Sequence, residues 1–173
     1  SDGLRLARRY AKGLPPGYID AVSPEVAAQD LVRADRLRGP ADLGLTLYRH
    51  EDGLRFKALR LDRVIALSDA LPMLENLGLR ILSEHPYELE ADGRTIAIQD
   101  FVVQPQRPLP DLAASRADFE DAFARVWSGE AENDGFNRLV LAAGLSWRQV
   151  AMLRGYAKYL LQTGVPFSQA YME

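Results

Sequence analysis

Residues 43–61, LGLTLYRHEDGLRFKALRL, decide the fold because they place two apolar-rich runs on either side of Asp52-Gly53. An Asp-Gly pair between such runs is the strongest short-range signal for a β-hairpin, since the turn requires residues that tolerate a positive φ. The pattern predicts an antiparallel pair of strands at about 44–50 and 54–61.

A second hairpin is predicted at 79–104, LRILSEHPYELEADGRTIAIQDFVVQ, which also turns at an Asp-Gly pair. Between the hairpins, residues 66–78, ALSDALPMLENLG, predict a helix that Ser68 caps and Gly78 ends. Pro72 is expected in its first turn, where the missing N–H is harmless. The apolar residues expected to face the core are Leu71, Leu74 and Leu77.

The order strand, strand, helix, strand, strand fixes an architecture. A helix between the second and third strands makes a right-handed parallel crossover, and the second hairpin then inserts the fourth strand between them. The predicted fold class is α+β, with a ferredoxin-like four-stranded antiparallel sheet in the order first, second, fourth, third. Helices are expected on one face of the sheet, and an α-helical segment follows it.

The N-terminal part is predicted to contain one helix and one arm. Residues 1–22 carry several Arg and Lys residues and the breaker GLPPGY, so they are expected to form a solvated or linker-like arm. Ser23 then caps a helix that Pro24 opens and Gly39-Pro40 stops.

Three further helices are predicted in the last third of the chain. The first is capped by Ser115 and runs to Gly129, and the second is capped by Asn133 or Asp134 and stopped by Gly144. The third begins with the capping box Ser146-Trp-Arg-Gln149 and ends at Gly164 and Pro166. The apolar set of this last helix is Val150, Leu153, Ala157, Leu160 and Leu161. The predicted divisions of the chain are therefore 1–41, an arm and a capped helix; 42–113, an α/β module; and 114–173, a helical motif.

Composition excludes several function classes. The 173 residues contain no cysteine, which excludes disulfides, thiolate metal sites and a cysteine nucleophile, and which fits the cytoplasm. The 21 Lys and Arg against 24 Asp and Glu give a net charge of −3, so no global field favours nucleic acid or anionic lipid. No apolar run approaches the ~20 residues of a membrane span. Because the chain starts with Ser1 and stops just after an apparent helix end, it is expected to be a fragment of a longer polypeptide.

No catalytic, cofactor-binding or metal-ligating residue is expected in this chain. His50 and His85 lack a second ligand at helical spacing, and there is no nucleophile elbow or glycine-rich phosphate loop. The acidic run at 130–134 precedes Phe-Asn-Arg-Leu instead of a twelve-residue calcium loop, so helix capping is the preferred interpretation.

The last predicted helix carries Arg148, Arg154 and Lys158, with tyrosines between them. This basic face is interpreted as a solvated charged face or as a docking surface for another part of a larger protein, with binding of RNA or an anionic ligand as a less favoured alternative. Gly155 in the middle of the helix costs about 1 kcal/mol relative to alanine, which suggests that another backbone approaches closely there.

Three runs of sequence carry a family resemblance. They are ALSDALPMLENLGLRILSEHPYEL (66–89), IQDFVV (98–103) and WSGEAENDGFNRLVLAAGLSWRQVAMLRGYAKYLLQTGVPFSQAY (127–171). Together they resemble the regulatory region that precedes the catalytic core in the large bacterial NAD-specific glutamate dehydrogenases. The resemblance covers about residues 14 to 173.

The resemblance implies a parent enzyme that converts L-glutamate, NAD and water to 2-oxoglutarate, ammonia and NADH. It also implies an ACT-like module followed by helical motifs, with the catalytic residues and the NAD site elsewhere in the polypeptide. ACT modules often bind an amino acid near the loop that joins the first core strand to the first helix. The matching residues here are Asp62, Arg63, Ser68 and Asp69. The loop lacks the glycine that ligand-binding ACT loops commonly use.

Three hypotheses follow for the function of this chain. The preferred one is a non-catalytic regulatory and assembly region that contacts the rest of its own polypeptide, within a homo-oligomer. The alternative is an amino-acid-sensing domain that uses the Asp62 loop. The third is an RNA-binding module that uses the basic face of the last helix.

Overall fold

The computed structural model describes residues 2–109, 111–164 and 168–172, and it contains a four-stranded antiparallel sheet in the order β1-β2-β4-β3. The predicted α+β class, both hairpins and the strand order are confirmed. The strands are β1 (Gly44–His50), β2 (Gly53–Leu61), β3 (Leu79–Ala91) and β4 (Arg94–Pro105).

Eight α-helices surround the sheet in the described part of the chain. Short 3₁₀ helices at Ala11–Gly13 and Gly135–Arg138 connect some of them. The α-helices are α1 (Asp2–Tyr10), α2 (Pro16–Ala21), α3 (Pro24–Arg36), α4 (Leu67–Asn76), α5 (Leu112–Trp127), α6 (Leu139–Ala143), α7 (Trp147–Gln162) and α8 (Gln169–Met172).

One face of the sheet carries the larger apolar core. Phe56 of β2 packs against α5, with its ring centroid 5.5 Å from that of Phe119 and 4.8 Å from that of Phe123. Buried side chains of α4, α6 and α7 complete this cluster, among them Leu74, Val140 and Val150. The predicted crossover helix and the C-terminal helices therefore cover one face of the sheet, as expected.

The opposite face is covered by α1, α2 and α3, which the sequence did not indicate. Tyr10 of α1 and Tyr18 of α2 are 1% and 0% exposed, and they pack in a second apolar cluster with Leu59 and Ile98 of the sheet. The interpretation of residues 1–22 as a solvated arm is wrong. Its polar and breaker-rich composition concealed a few apolar side chains that are spaced to meet the sheet.

Two of the four serines predicted as helix caps have that role. Ser23 accepts a hydrogen bond from the N–H of Val26, and Ser146 forms the predicted capping box with Gln149. The cap predicted at Ser68 is wrong, because α4 begins earlier, with Ala66 at its N-cap position. The cap predicted at Ser115 is also wrong, since Asp111 caps α5 and Ser115 is buried inside the helix.

Two further features were predicted for α4, the stop at Gly78 and the position of Pro72, and only the first is correct. Gly78 has φ +88 and follows the helix, so the predicted stop is confirmed. Pro72, however, lies inside the helix, because α4 begins at Leu67. A proline there removes one hydrogen bond to the preceding turn.

Helix α7 buries less of its surface than the sequence suggested. Its buried residues are Val150, Arg154 and Ala157, whereas Leu153 and Leu160, predicted to face the core, are exposed. Among the described residues, the helix contacts the body along a narrow stripe. Gly164 follows the helix with a positive φ as expected, and the predicted stop at Pro166 lies outside the described residues.

Candidate functional site

The loop predicted to bind an effector begins with Asp62, directly after β2. Asp62 has φ +58, and its carboxylate accepts hydrogen bonds from Arg94 Nη2 at 2.8 Å and from the N–H of Thr95 at 3.2 Å. The hydrogen bond from Arg94 lowers the pKa of Asp62. The carboxylate therefore already has partners, and it ties the loop to the start of β4.

An open groove of about 600 Å³ lies beside this loop, and Asp62 and Arg63 line it together with Glu88 and Thr95. Ser68 and Asp69 do not line this groove. They lie in the first turn of α4, where the N–H of Asp69 donates to the carbonyl of Ala66 at 2.9 Å. The structure thus brings together two of the four predicted loop residues.

The predicted basic docking face is divided in the structure. Arg154 is 4% exposed and donates to both carboxylate oxygens of Asp134, at 2.6 and 2.9 Å, and to Asn137 Oδ1 at 2.8 Å. Lys158 donates to Glu132 at 2.7 Å. Arg148 lies beside the Trp147 ring, with 5.4 Å between the guanidinium carbon and the ring centroid. The prediction that Arg154 lies on an exposed docking face is therefore wrong.

The stretch ENDGFN at 132–137 acts as a helix junction. Asp134 accepts a hydrogen bond from the N–H of Phe136, which confirms the predicted cap, and the same carboxylate receives Arg154. The cap was visible in the sequence, whereas the ion pair was not. Asp134 and Arg154 are separated by twenty positions and belong to different elements.

The exposed side of α7 carries a group of neighbouring apolar side chains. Met152, Tyr156 and Tyr159 are 61%, 62% and 64% exposed, and they lie three or four positions apart, with Leu153 and Leu160 beside them. Gly155 lies among them, and a Cβ placed there meets no described atom within 4 Å. We call Met152, Leu153, Tyr156, Tyr159 and Leu160 the α7 apolar face. The expected close approach at Gly155 does not come from the described residues.

A buried ionic cluster lies between the sheet and the N-terminal helices. Lys57 of β2 is 0% exposed and donates to Asp30 Oδ2 of α3 at 2.6 Å. Tyr18 donates to the same oxygen at 2.6 Å. On the other side of Lys57, at 3.9 Å, is Asp100, which accepts hydrogen bonds from Tyr48 at 2.9 Å and from Arg55 at 3.0 Å.

Burial and the neighbouring carboxylates together raise the pKa values of the two tyrosines in this cluster. Burial, followed by the nearby charge of Asp30, strongly raises the pKa of Tyr18. Burial and then Asp100 raise the pKa of Tyr48 in the same way. Both tyrosines therefore stay protonated throughout the physiological pH range, and they can donate hydrogen bonds to the carboxylates. The cluster attaches α2 and α3 to the centre of the sheet.

Sequence reasoning missed this cluster. Lys57 lies on β2 between Phe56 and Ala58, where a charged side chain is ordinarily expected to point to solvent. The available signal was that Arg55 and Lys57 alternate with apolar residues along β2, and that Asp100 interrupts the apolar run of β4. That pattern indicates an ionic cluster only if a second layer covers this face of the sheet.

Neither a metal-binding group of side chains nor a membrane-spanning helix is found among the described residues. Among residues 2–109, 111–164 and 168–172, no group of three or more His, Asp or Glu side chains could hold a metal ion. In the same part of the chain, no helix is both long and apolar enough to cross a membrane.

Family models match three successive parts of the chain. Residues 1–37 match helical motif 2 of glutamate dehydrogenase, and residues 42–119 match its ACT3 domain. Residues 131–173 match helical motif 3 of glutamate dehydrogenase. The sheet and the helices on both of its faces thus correspond to consecutive domains of one family.

Curated relatives agree with these matches. The NAD-specific glutamate dehydrogenases of Halomonas elongata and Pseudomonas aeruginosa are each 41% identical to this chain, over 96% and 98% of its length. The NAD-specific glutamate dehydrogenase of Mycobacterium tuberculosis is 36% identical over 100% of the chain. The chain spans only 11% of the length of each relative. It belongs to the family of NAD-specific glutamate dehydrogenases, as the segment made of helical motif 2, the ACT3 domain and helical motif 3.

Proposed function

We propose that this segment is a non-catalytic regulatory and assembly region of an enzyme that oxidises L-glutamate with NAD to 2-oxoglutarate and ammonia. The reaction is inferred from the names of the relatives, which are all NAD-specific glutamate dehydrogenases. The NAD site and the catalytic residues belong to other parts of that polypeptide. We also propose that the enzyme is a cytoplasmic homo-oligomer, and we retain the divisions 1–41, 42–113 and 114–173.

The observation that carries this proposal is the α7 apolar face. Contiguous exposed apolar surface on a folded domain marks a contact with another protein surface. The spacing of Met152, Tyr156 and Tyr159 is that of one helix side, and Gly155 at the edge of this side leaves room for a second backbone to approach. Helix packing at such a stripe is the expected mode of contact.

The length of the relatives supports a different segment of the same polypeptide as the partner of the α7 apolar face. Arg154 and Lys158 of α7 already pair with Asp134 and Glu132, so the contact is expected to rest on the apolar side chains. The relatives contain most of their length outside the matched segment, so their polypeptides supply such a partner.

The test uses the full-length polypeptide that contains this segment. Leu153→Asp combined with Tyr156→Asp places two charges in the α7 apolar face, so we expect a smaller assembly by analytical ultracentrifugation and reduced glutamate-dependent NADH formation. Leu4→Asp, at another exposed apolar position, is the control, and it is expected to leave the assembly and the NADH formation unchanged. Unchanged assembly and activity in the double variant would refute the proposed role of this face.

A separate assay tests the non-catalytic assignment. The 173-residue chain alone is incubated with L-glutamate and NAD, and NADH is followed by its absorbance. We expect NADH to form no faster than in the same mixture without protein. NADH formation by the isolated chain would contradict the proposal.

Amino-acid sensing at the Asp62 loop is the second candidate. The open groove that Asp62 and Arg63 line supports it, although Asp62 already pairs with Arg94. Arg63 is therefore the more informative position. Sensing predicts saturable binding of L-glutamate or another amino acid that Arg63→Ala weakens and that Arg80→Ala, at an exposed position on β3, does not. Flat calorimetric titrations would exclude this candidate.

A further inference from the structure

A second groove, of about 370 Å³, runs along the outer edge of β1 between α3 and the first turn of α5. It is separate from the Asp62 loop, and no residue lines both grooves. We call it the β1-edge groove. The charged and hydroxyl-bearing side chains that line it are Asp30, Arg33, Thr46, Tyr48, Arg49 and Arg116.

Positive charge is in excess in the β1-edge groove. Three guanidinium groups line it against one carboxylate, and that carboxylate, Asp30, is already neutralised by Lys57 at 2.6 Å. The whole chain has a net charge of −3, so this excess is local. Within the groove, Arg33 forms an ion pair with Asp30 at 3.6 Å, and the charge of Glu120 acts on Arg33 and Arg116 from beside it.

Two buried polar atoms of the groove residues lack hydrogen-bond partners within the described ranges. Arg116 Nε is one of them. The other is Asp30 Oδ1, which belongs to a side chain that is 1% exposed and lies 3.6 Å from Arg33 Nη1, too far for a hydrogen bond. Unsatisfied buried donors and acceptors are costly, so a ligand that pairs with both atoms gains binding free energy.

The groove is better suited to a small ligand than to an added β-strand. Arg33 Nε donates to the carbonyl of Leu45 at 3.2 Å, and the N–H of Leu47 donates to Glu120 at 3.0 Å. These side chains occupy the outer edge of β1 at the positions where a peptide strand would pair. Leu112 and Ala113, in the first turn of α5, lie beside the space that remains.

We propose that the β1-edge groove binds a small oxyanion, a carboxylate or a phosphate, that also carries a hydrogen-bond donor. Arg33, Arg49 and Arg116 hold the anion by charge-assisted hydrogen bonds, and the donor meets Asp30 Oδ1. The ligand contacts the part of the chain that matches helical motif 2 through α3, and the part that matches the ACT3 domain through β1 and α5. Its binding therefore strengthens the packing between these two domains.

The test is isothermal titration calorimetry of the 173-residue chain at constant ionic strength. The probes are phosphate, L-malate and succinate, with chloride as the blank. We expect saturable binding of phosphate or L-malate, weakened roughly tenfold or more by Arg116→Gln and by Arg49→Gln. Arg49 is exposed, so its variant retains the fold, which a thermal melt verifies. Arg80→Gln, at an exposed arginine on β3, is the matched control and binds as the unaltered chain does.

The probes separate the parts of the proposal. Binding of L-malate without phosphate identifies a carboxylate ligand, and the reverse identifies a phosphate ligand. Succinate lacks the hydroxyl donor, so binding as tight as that of L-malate would overturn the role given to Asp30 Oδ1. Heats that match those of chloride for every probe, or equal weakening by Arg80→Gln, would overturn the site. Because the groove does not involve α7, these results are independent of the docking proposal.

Discussion

At the scale of single residues, the buried charges carry the most information about this molecule. Lys57 has no exposed surface and lies between Asp30 and Asp100, at 2.6 and 3.9 Å. A buried charge is tolerated only when its partners are present, because desolvation is costly and mutual attraction offsets it. Removal of one charged side chain therefore lowers the free energy of unfolding by more than the intact cluster contributes to it.

Lys57→Met tests this argument. The substitution removes the cation from two buried carboxylates, so the free energy of unfolding is expected to fall by about 3–5 kcal/mol. Urea denaturation followed by circular dichroism measures it. Lys158→Met is the control, because Lys158 pairs with Glu132 at the surface, and its effect is expected to stay below about 1 kcal/mol. If both variants lost a similar free energy of unfolding, the burial of Lys57 would not increase the cost of removing its charge.

Asp35 of α3 predicts a pH dependence. Hydrogen bonds from Arg5 and then from Arg9, both on α1, lower the pKa of Asp35 to about 2, although its partial burial acts in the opposite direction. A carboxyl group with a lowered pKa in the folded state contributes stability above its ordinary pKa, which is 3.8. That contribution is lost as the pH falls through about 2.

Asp35→Asn should therefore lower the free energy of unfolding by about 1 kcal/mol at neutral pH. The difference from the unaltered chain should shrink as the pH falls from about 4 to about 2. Urea denaturation at a series of pH values measures it. A difference that stays constant across this range would contradict the assigned role of Asp35.

At the scale of secondary-structure elements, the contact between the N-terminal helices and the sheet depends on one close approach. A Cβ placed at Gly13 lies 1.8 Å from the carbonyl oxygen of Glu90 in β3, a backbone atom that cannot rotate away. Glycine is required here because only hydrogen fits. The 3₁₀ turn at Ala11–Gly13 therefore fixes where α1 meets the edge of β3.

Gly13→Ala should displace this turn and lower the free energy of unfolding by about 1–3 kcal/mol, as overpacking does. Limited proteolysis should also cut the N-terminal segment faster. Gly17→Ala is the matched control in α2, since a Cβ at that position meets nothing within 4 Å and alanine favours a helix. Gly13→Ala with the stability and cleavage rate of the unaltered chain would rule out the close contact.

At the scale of the whole molecule, the sheet is a central layer with helices on both sides. The N-terminal helices cover Leu59, Leu89 and Ile98 on one face, while α4, α5, α6 and α7 cover the other. Each face depends on its helices to exclude water. The segment that matches helical motif 2 is therefore part of the structural unit that contains the ACT3 domain.

A chain that lacks residues 1–22 tests this dependence. The deletion removes Tyr10 and Tyr18 from the second cluster and exposes the apolar side chains of β2 and β4 beneath them. We expect a lower melting temperature and increased binding of a hydrophobic dye. Leu4→Ser, at an exposed position on α1, is the control that leaves both unchanged. A truncated chain with an unaltered melting temperature would restore the interpretation of residues 1–22 as a solvated arm.

The sequence by itself determined the sheet, because its signals are local. Asp52-Gly53 and the second Asp-Gly pair each define a turn within a few residues, and the helix between the hairpins fixes the strand order by chain geometry. The capping box at Ser146 and the stop at Gly78 are equally local. The recognisable stretches around these elements also indicated the family before any contact was known.

Only the tertiary structure decided which polar residues are inside and which apolar residues are outside. Lys57 and Arg154 are buried because carboxylates from distant parts of the chain meet them, and no sequence period records such pairs. Leu153 and Leu160 are exposed because α7 contacts the body along a narrow stripe. Residues 1–22 cover the sheet through a few spaced side chains that composition conceals. Burial is a property of the whole packed chain, and it therefore appears only when distant elements come together.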